Sequence, residues 1–120
     1  MVQIHARLAN TVLLYSLILG IWGLIRFFRK QPIDSSFWGA LVLAEGLVLI
    51  QGILGVILWS LGLRPSRGAV HILYGVVSAL SLPAVYVYTK GRENRREMLL
   101  YGVVLLFMVG ISIRAMATGG

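Results

Sequence analysis

Four uninterrupted apolar stretches, roughly 4–27, 37–63, 69–89 and 98–114, occupy most of the chain, and this pattern leaves little choice of fold. A hydrocarbon core of ~30 Å is crossed by about 20 residues of α-helix, and each stretch approaches or exceeds that length, the last being the shortest. Backbone polar groups in lipid must be bonded within the segment, and these runs lack the alternation of barrel strands, so helices are required. The connections, Arg29 to Ser36, Arg64 to Gly68 and Gly91 to Glu97, are too short for a soluble domain and force neighbouring helices to run antiparallel. The expected architecture is therefore all-α: one integral membrane domain, 1–120, built as an up-down bundle of four transmembrane helices. At 58% hydrophobic and 12% charged, the composition lies outside the range of soluble domains. The first stretch is longer than a signal h-region, lacks a basic n-region and has no small-residue cleavage site before Arg26, so it reads as a retained helix.

The formal net charge of +7 raises a nucleic-acid partner, but the basic residues sit at helix ends rather than on one soluble face and so report topology, with the lipid bilayer as the partner. Arg26, Arg29, Lys30, Lys90, Arg92, Arg95 and Arg96 flank one side, and Arg7, Arg64, Arg67 and Arg114 the other. The seven-to-four bias puts both termini outside. A prokaryotic inner membrane is the expected location, with no nucleic acid bound.

Only two histidines are present, His5 and His71, and each opens a helix on the same side, 21 positions before Arg26 and 19 before Lys90 respectively. Equal depth makes a shared metal conceivable, since a neutral imidazole nitrogen is a ready ligand for iron, copper or zinc. Cysteine is absent, which removes thiolate metal sites, disulfides and covalent c-type haem. Small residues follow both histidines at helical spacing: Ala9, Ser16, Gly20 and Gly23 in the first helix, Gly75 and Ser78 in the third. Such faces serve either a flat cofactor or close helix packing. Arg7, Arg64, Arg67 and Arg114 lie on the histidine side, where guanidinium groups can pair with haem propionates or simply snorkel to lipid phosphate. Trp59 and Tyr74 fit the interfacial aromatic belt.

Glu45 is the one acidic residue well inside a span, nine positions from Ser36 and so ~13 Å along its helix. An intramembrane carboxyl is a functional hypothesis by default. It serves either as a proton or cation site, or as a neutral acid bonding helix to helix. Ser16 and Ser81 fall at similar depth, and Pro83 cannot bond the Ala79 carbonyl, which offers Glu45 a partner.

One further run, Gln51 to Gly55, reads Q-x-x-L-G. Taken in order with His5-Ala6-Arg7-Leu8-Ala9 before it, and with Pro65 followed by His71 to Gly75 after it, it resembles one four-helix half of the heme A synthase family. The resemblance covers roughly 2–80 and rests on the order and spacing of short motifs. It implies that His5 and His71 are axial haem ligands on the outer side, with Gly55 and Gly75 beside the cofactor. That family has an acidic residue three positions before its first histidine, where this chain has Val2, and two bundles, where this chain has one. What the resemblance implies is thus haem b binding rather than oxidation of a haem methyl group. A weak internal repeat, Ile4-His5-x-x-x-Ala9 and Val70-His71-x-x-x-Gly75, is consistent with two like hairpins around a central cofactor.

The expected function is that of a haem b-binding cytochrome, for electron transfer or haem handling, alone, as a homodimer or as a subunit of a respiratory or photosynthetic complex. Two alternatives come from other classes. One is a small proton-coupled multidrug-type transporter using Glu45, although the small multidrug resistance family carries its glutamate in the first helix. The other is a structural accessory subunit of a membrane complex.

Overall fold

A computed structural model describes residues 2–62 and 68–119, with side chains described over 3–62 and 68–117. Four helices follow in order: α1 (Val2–Phe28), α2 (Ser35–Ser60), α3 (Gly68–Thr89) and α4 (Arg95–Gly119). All four are long and apolar enough to cross a membrane. They form an antiparallel bundle in which α1 packs on α2 and α4, and α3 packs on α2 and α4. α1 and α3 therefore stand at opposite corners.

The helix bounds depart from the apolar runs for local reasons. α2 starts two residues early because Asp34 caps it, its carboxylate accepting the Phe37 N–H at 2.9 Å. It stops at Ser60 because Gly62 turns into the left-handed region, φ 84°. α4 begins three residues early and extends beyond Arg114, since Arg, Glu and Met are good helix formers and charge ends a hydropathy pattern without ending a helix.

Lys30 and Lys90 end α1 and α3 in the same way. Each sits at positive φ, 59° and 55°, and each is followed four positions later by an Asx residue, Asp34 or Asn94, just ahead of the next helix. At each end the chain folds back twice: Gln31 N–H bonds the Arg26 carbonyl and Lys30 N–H that of Phe27, while Gly91 N–H bonds Tyr86 and Lys90 N–H bonds Val87. These are Schellman closures, which satisfy carbonyls that a helix end leaves unbonded. The two hairpin loops are tied together. Ile33 N–H donates to the Glu93 carbonyl at 2.9 Å, Arg95 Nε donates to the Phe27 carbonyl at 2.8 Å, and Trp38 Nε1 donates to the Glu93 carboxylate. Arg26 bonds the Pro32 carbonyl and pairs with Asp34 at 3.3 Å, and Arg92 pairs with the buried Glu97 at 3.4 Å. This end carries the seven basic residues counted above.

The core lies between α1, α2 and α4, around Leu19, Phe37, Leu41, Met98, Tyr101 and Leu105. α1 and α4 meet backbone to backbone: a Cβ at Gly23 would stand 3.2 Å from Gly102 Cα and 3.2 Å from Phe37 Cζ, and one at Gly20 would stand 2.9 Å from Leu106 Cδ2. The small residues Gly20 and Gly23, which the sequence left open to a cofactor or to packing, are thus taken up by helix packing. α3 is the most peripheral helix, with Ser78, Leu82 and Thr89 its buried residues.

Candidate cofactor site

At the end opposite the hairpin loops, all four helices contribute to one polar cluster. His5 of α1 and His71 of α3 face each other across the bundle, ring centroids 6.3 Å apart and planes inclined at 64°. Both are half-buried. The contact joins opposite corners whose backbones do not approach closely, so only long side chains projecting to the middle can make it.

Each imidazole is held by a neighbouring helix. His71 Nδ1 lies 2.9 Å from the Ala115 carbonyl of α4. A carbonyl only accepts, so Nδ1 carries a proton in this contact. On the other corner Gln51 of α2 donates to the His5 carbonyl at 2.8 Å, and a Cβ at Gly55 would lie 3.5 Å from His5 Cε1. The His5 Nδ1 and Gln51 Oε1 atoms are buried and form no hydrogen bond with the protein. Burying an unbonded polar atom is unfavourable, and this cluster holds two such atoms.

The separation suits a shared metal. Two imidazoles bound to one ion through nitrogen, with bonds of about 2 Å on each side, hold their ring centres about 6 Å apart. The donor set is narrower than a bare ion requires. Among the described residues no group of three or more His, Asp or Glu side chains converges, while structural zinc takes four protein ligands. Two nitrogens are the number that a haem takes from a protein at its axial positions.

Other expected residues fall in different places. Arg7 and Arg114 are exposed at the histidine end. Arg64 and Arg67, with Pro65, lie outside the described residues. Gly55 is at the cluster, whereas Gly75 is exposed with nothing within 4 Å of where a Cβ would stand, so the structure does not bring it to the rings. Trp59 packs against the start of α3, its ring 2.7 Å from a hypothetical Cβ at Gly68.

Glu45 is not part of the cluster. Gln51 marks the depth of His5, and Glu45 lies six residues away on α2, ~9 Å nearer the hairpin loops. It faces the α2–α3 seam beside Leu82 and Pro83, with Oε1 buried and without a hydrogen bond. Oε1 therefore does not bond the Ala79 carbonyl that Pro83 leaves open, and the Ser81 hydroxyl at similar depth donates to the Val77 carbonyl of its own helix at 2.6 Å.

Sequence reading missed two supports of the site. The Q-x-x-L-G run gives Gln51 no role of its own, although an amide in a long apolar helix signals a hydrogen bond to another helix. The Ala115 carbonyl is backbone and has no signature in sequence. No family model, curated protein or solved structure matches this chain, so the likeness to heme A synthase rests on the quoted motifs.

Proposed function

We propose that this chain is a haem b-binding membrane protein of cytochrome b type, with His5 and His71 as its axial ligands. The observation that carries the reading is the imidazole pair at 6.3 Å across the bundle, in a cluster where no further ligating side chain converges among the described residues. A haem b bound there supplies reversible one-electron chemistry. The protein's part is orientation: Ala115 fixes the His71 tautomer, and Gln51 anchors the turn of α1 that carries His5. Arg7 and Arg114 place positive charge at the same end, where propionates would need it. A haem held by His5 and His71 together would serve one-electron transfer rather than activation of oxygen or substrate. The distribution of basic residues supports an orientation with this end, and both termini, outside.

Protein purified after expression with ample haem should give the reduced-minus-oxidised difference spectrum of a low-spin b haem. That spectrum should vanish in both His5→Ala and His71→Ala, while the far-ultraviolet helix signal persists. Wild-type protein without haem absorbance under those conditions overturns the proposal.

A further inference from the structure

The side of α1 turned away from the core is bare. Val12, Ser16 and Gly23 bury one face of the helix, while Gln3, Asn10, Leu14, Ile21 and Phe28, spaced by seven, four, seven and seven residues, line the opposite one. All five are exposed, Leu14, Ile21 and Phe28 by 55%, 46% and 72%. The apolar members of this face match lipid tails, and Asn10 does not. The span Gln3–Phe28 has 26 residues, ~39 Å of helix against a hydrocarbon core of ~30 Å, so with the span centred Asn10 stands about 6 Å inside the edge of that core.

The Asn10 amide makes no hydrogen bond among the described residues. Its neighbours on α1 are satisfied: the Thr11 hydroxyl donates to the Arg7 carbonyl at 3.1 Å, and the Tyr15 hydroxyl to the Ala40 carbonyl of α2 at 2.7 Å. Lipid tails neither donate nor accept, so a carboxamide that faces them forfeits the bonds it has in water. Polar side chains at such positions draw transmembrane helices together by bonding across the contact. The chemistry of the amide names the partner. A carboxamide both donates and accepts, so two of them side by side exchange N–H···O bonds in both directions, and asparagine is its own complement. Copies inserted the same way round carry Asn10 at one depth, where parallel α1 helices bring the amides together across a twofold axis. A different protein would need an amide of its own at that depth on a bare face. Arg7, one turn nearer the end of the span, is exposed and long enough to carry its charge to the headgroups.

We infer that the chain forms a symmetric parallel dimer through the outer face of α1, with Asn10 of one protomer bonding the partner's Asn10 and Leu14, Ile21 and Phe28 packing along the same seam. The pairing is independent of the haem reading.

The full chain in density-matched detergent should sediment as a monomer–dimer equilibrium. Asn10→Leu should weaken the dimer about tenfold, two lost bonds at roughly threefold each, with helix content unchanged by circular dichroism. Asn10→Gln, which keeps the amide, should stay within about threefold of the parent. The chain has no cysteine, so single replacements can be oxidised in liposomes without background. Leu14→Cys and Ile21→Cys should give disulfide-linked dimers, whereas Val42→Cys on α2 and Val87→Cys on α3, at positions exposed by 69% and 74%, should not. A chain that stays monomeric in detergent and in liposomes overturns the proposal, and if it then retains another protein only while Asn10 is intact, that face belongs to a different partner. Crosslinking equal at all four positions, or a dimer no weaker in Asn10→Leu, overturns it as well.

Discussion

Replacing Gly23 by valine should loosen the whole bundle, because this residue sits where α1, α2 and α4 converge. A Cβ there would lie 3.2 Å from Gly102 Cα and 3.2 Å from Phe37 Cζ. Neither neighbour can yield cheaply: one is backbone, and the other is a fully buried ring packed at a tilt against Trp22, centroids 5.3 Å apart. Valine adds two further methyl groups to that clash, so α1 and α4 must separate and lose packing along their length. Overpacking of this kind costs about 1–3 kcal/mol, and the gain of a few tenths of a kcal/mol in helix propensity over glycine does not offset it. The population of unfolded or separated helices should rise by roughly 5- to 150-fold. Titration from mild detergent into SDS, followed by tryptophan emission and helix content, measures this directly. Gly46→Val is the control, since nothing lies within 4 Å of a Cβ at Gly46 and its effect should stay within about 0.5 kcal/mol. Equal shifts for the two variants would refute the close α1–α4 contact.

Lys30→Gly and Lys90→Gly should each stabilise the protein by about 1 kcal/mol in the same titration, because both lysines hold a left-handed conformation that glycine adopts freely. Asp34→Asn should change stability little, as the amide still caps α2 and only the half-exposed pair with Arg26 is lost. Asp34→Ala should cost about 1 kcal/mol through the missing cap. Gln51→Leu should lower stability by about 0.6–1 kcal/mol by removing the bond to the His5 carbonyl, whereas Gly75→Ala, which fills open space, should be neutral; reversed ranks would show that Gln51 does not tether α1.

The histidine site was partly legible in sequence. Counting residues from the basic clusters placed His5 and His71 at one depth, and the rise of a helix is regular enough for that to hold over a whole span. Depth alone does not say which way a side chain points. The approach of the two rings depends on α1 and α3 standing at opposite corners with both histidines turned inward. Packing of Gly20 and Gly23 against α4 decided between the two uses that the small residues allowed. Gly75 shows the limit of spacing arguments: four residues after His71, it should share a face with that imidazole, yet the α3 surface there is exposed.

Sequence by itself determined that four helices form, each long and apolar enough to span a bilayer, because in lipid the backbone has to satisfy its own hydrogen bonds and these runs lack the alternation that a barrel needs. Tertiary structure decided what meets what. The contacts of Gln51 with the His5 carbonyl, His71 with the Ala115 carbonyl, Trp38 with Glu93 and Glu45 with Leu82 and Pro83 join residues 44 or more positions apart or lie on a seam between helices. Hydropathy cannot encode them, since a nearly uniform apolar surface favours burial in lipid on every side and only close packing selects which faces pair.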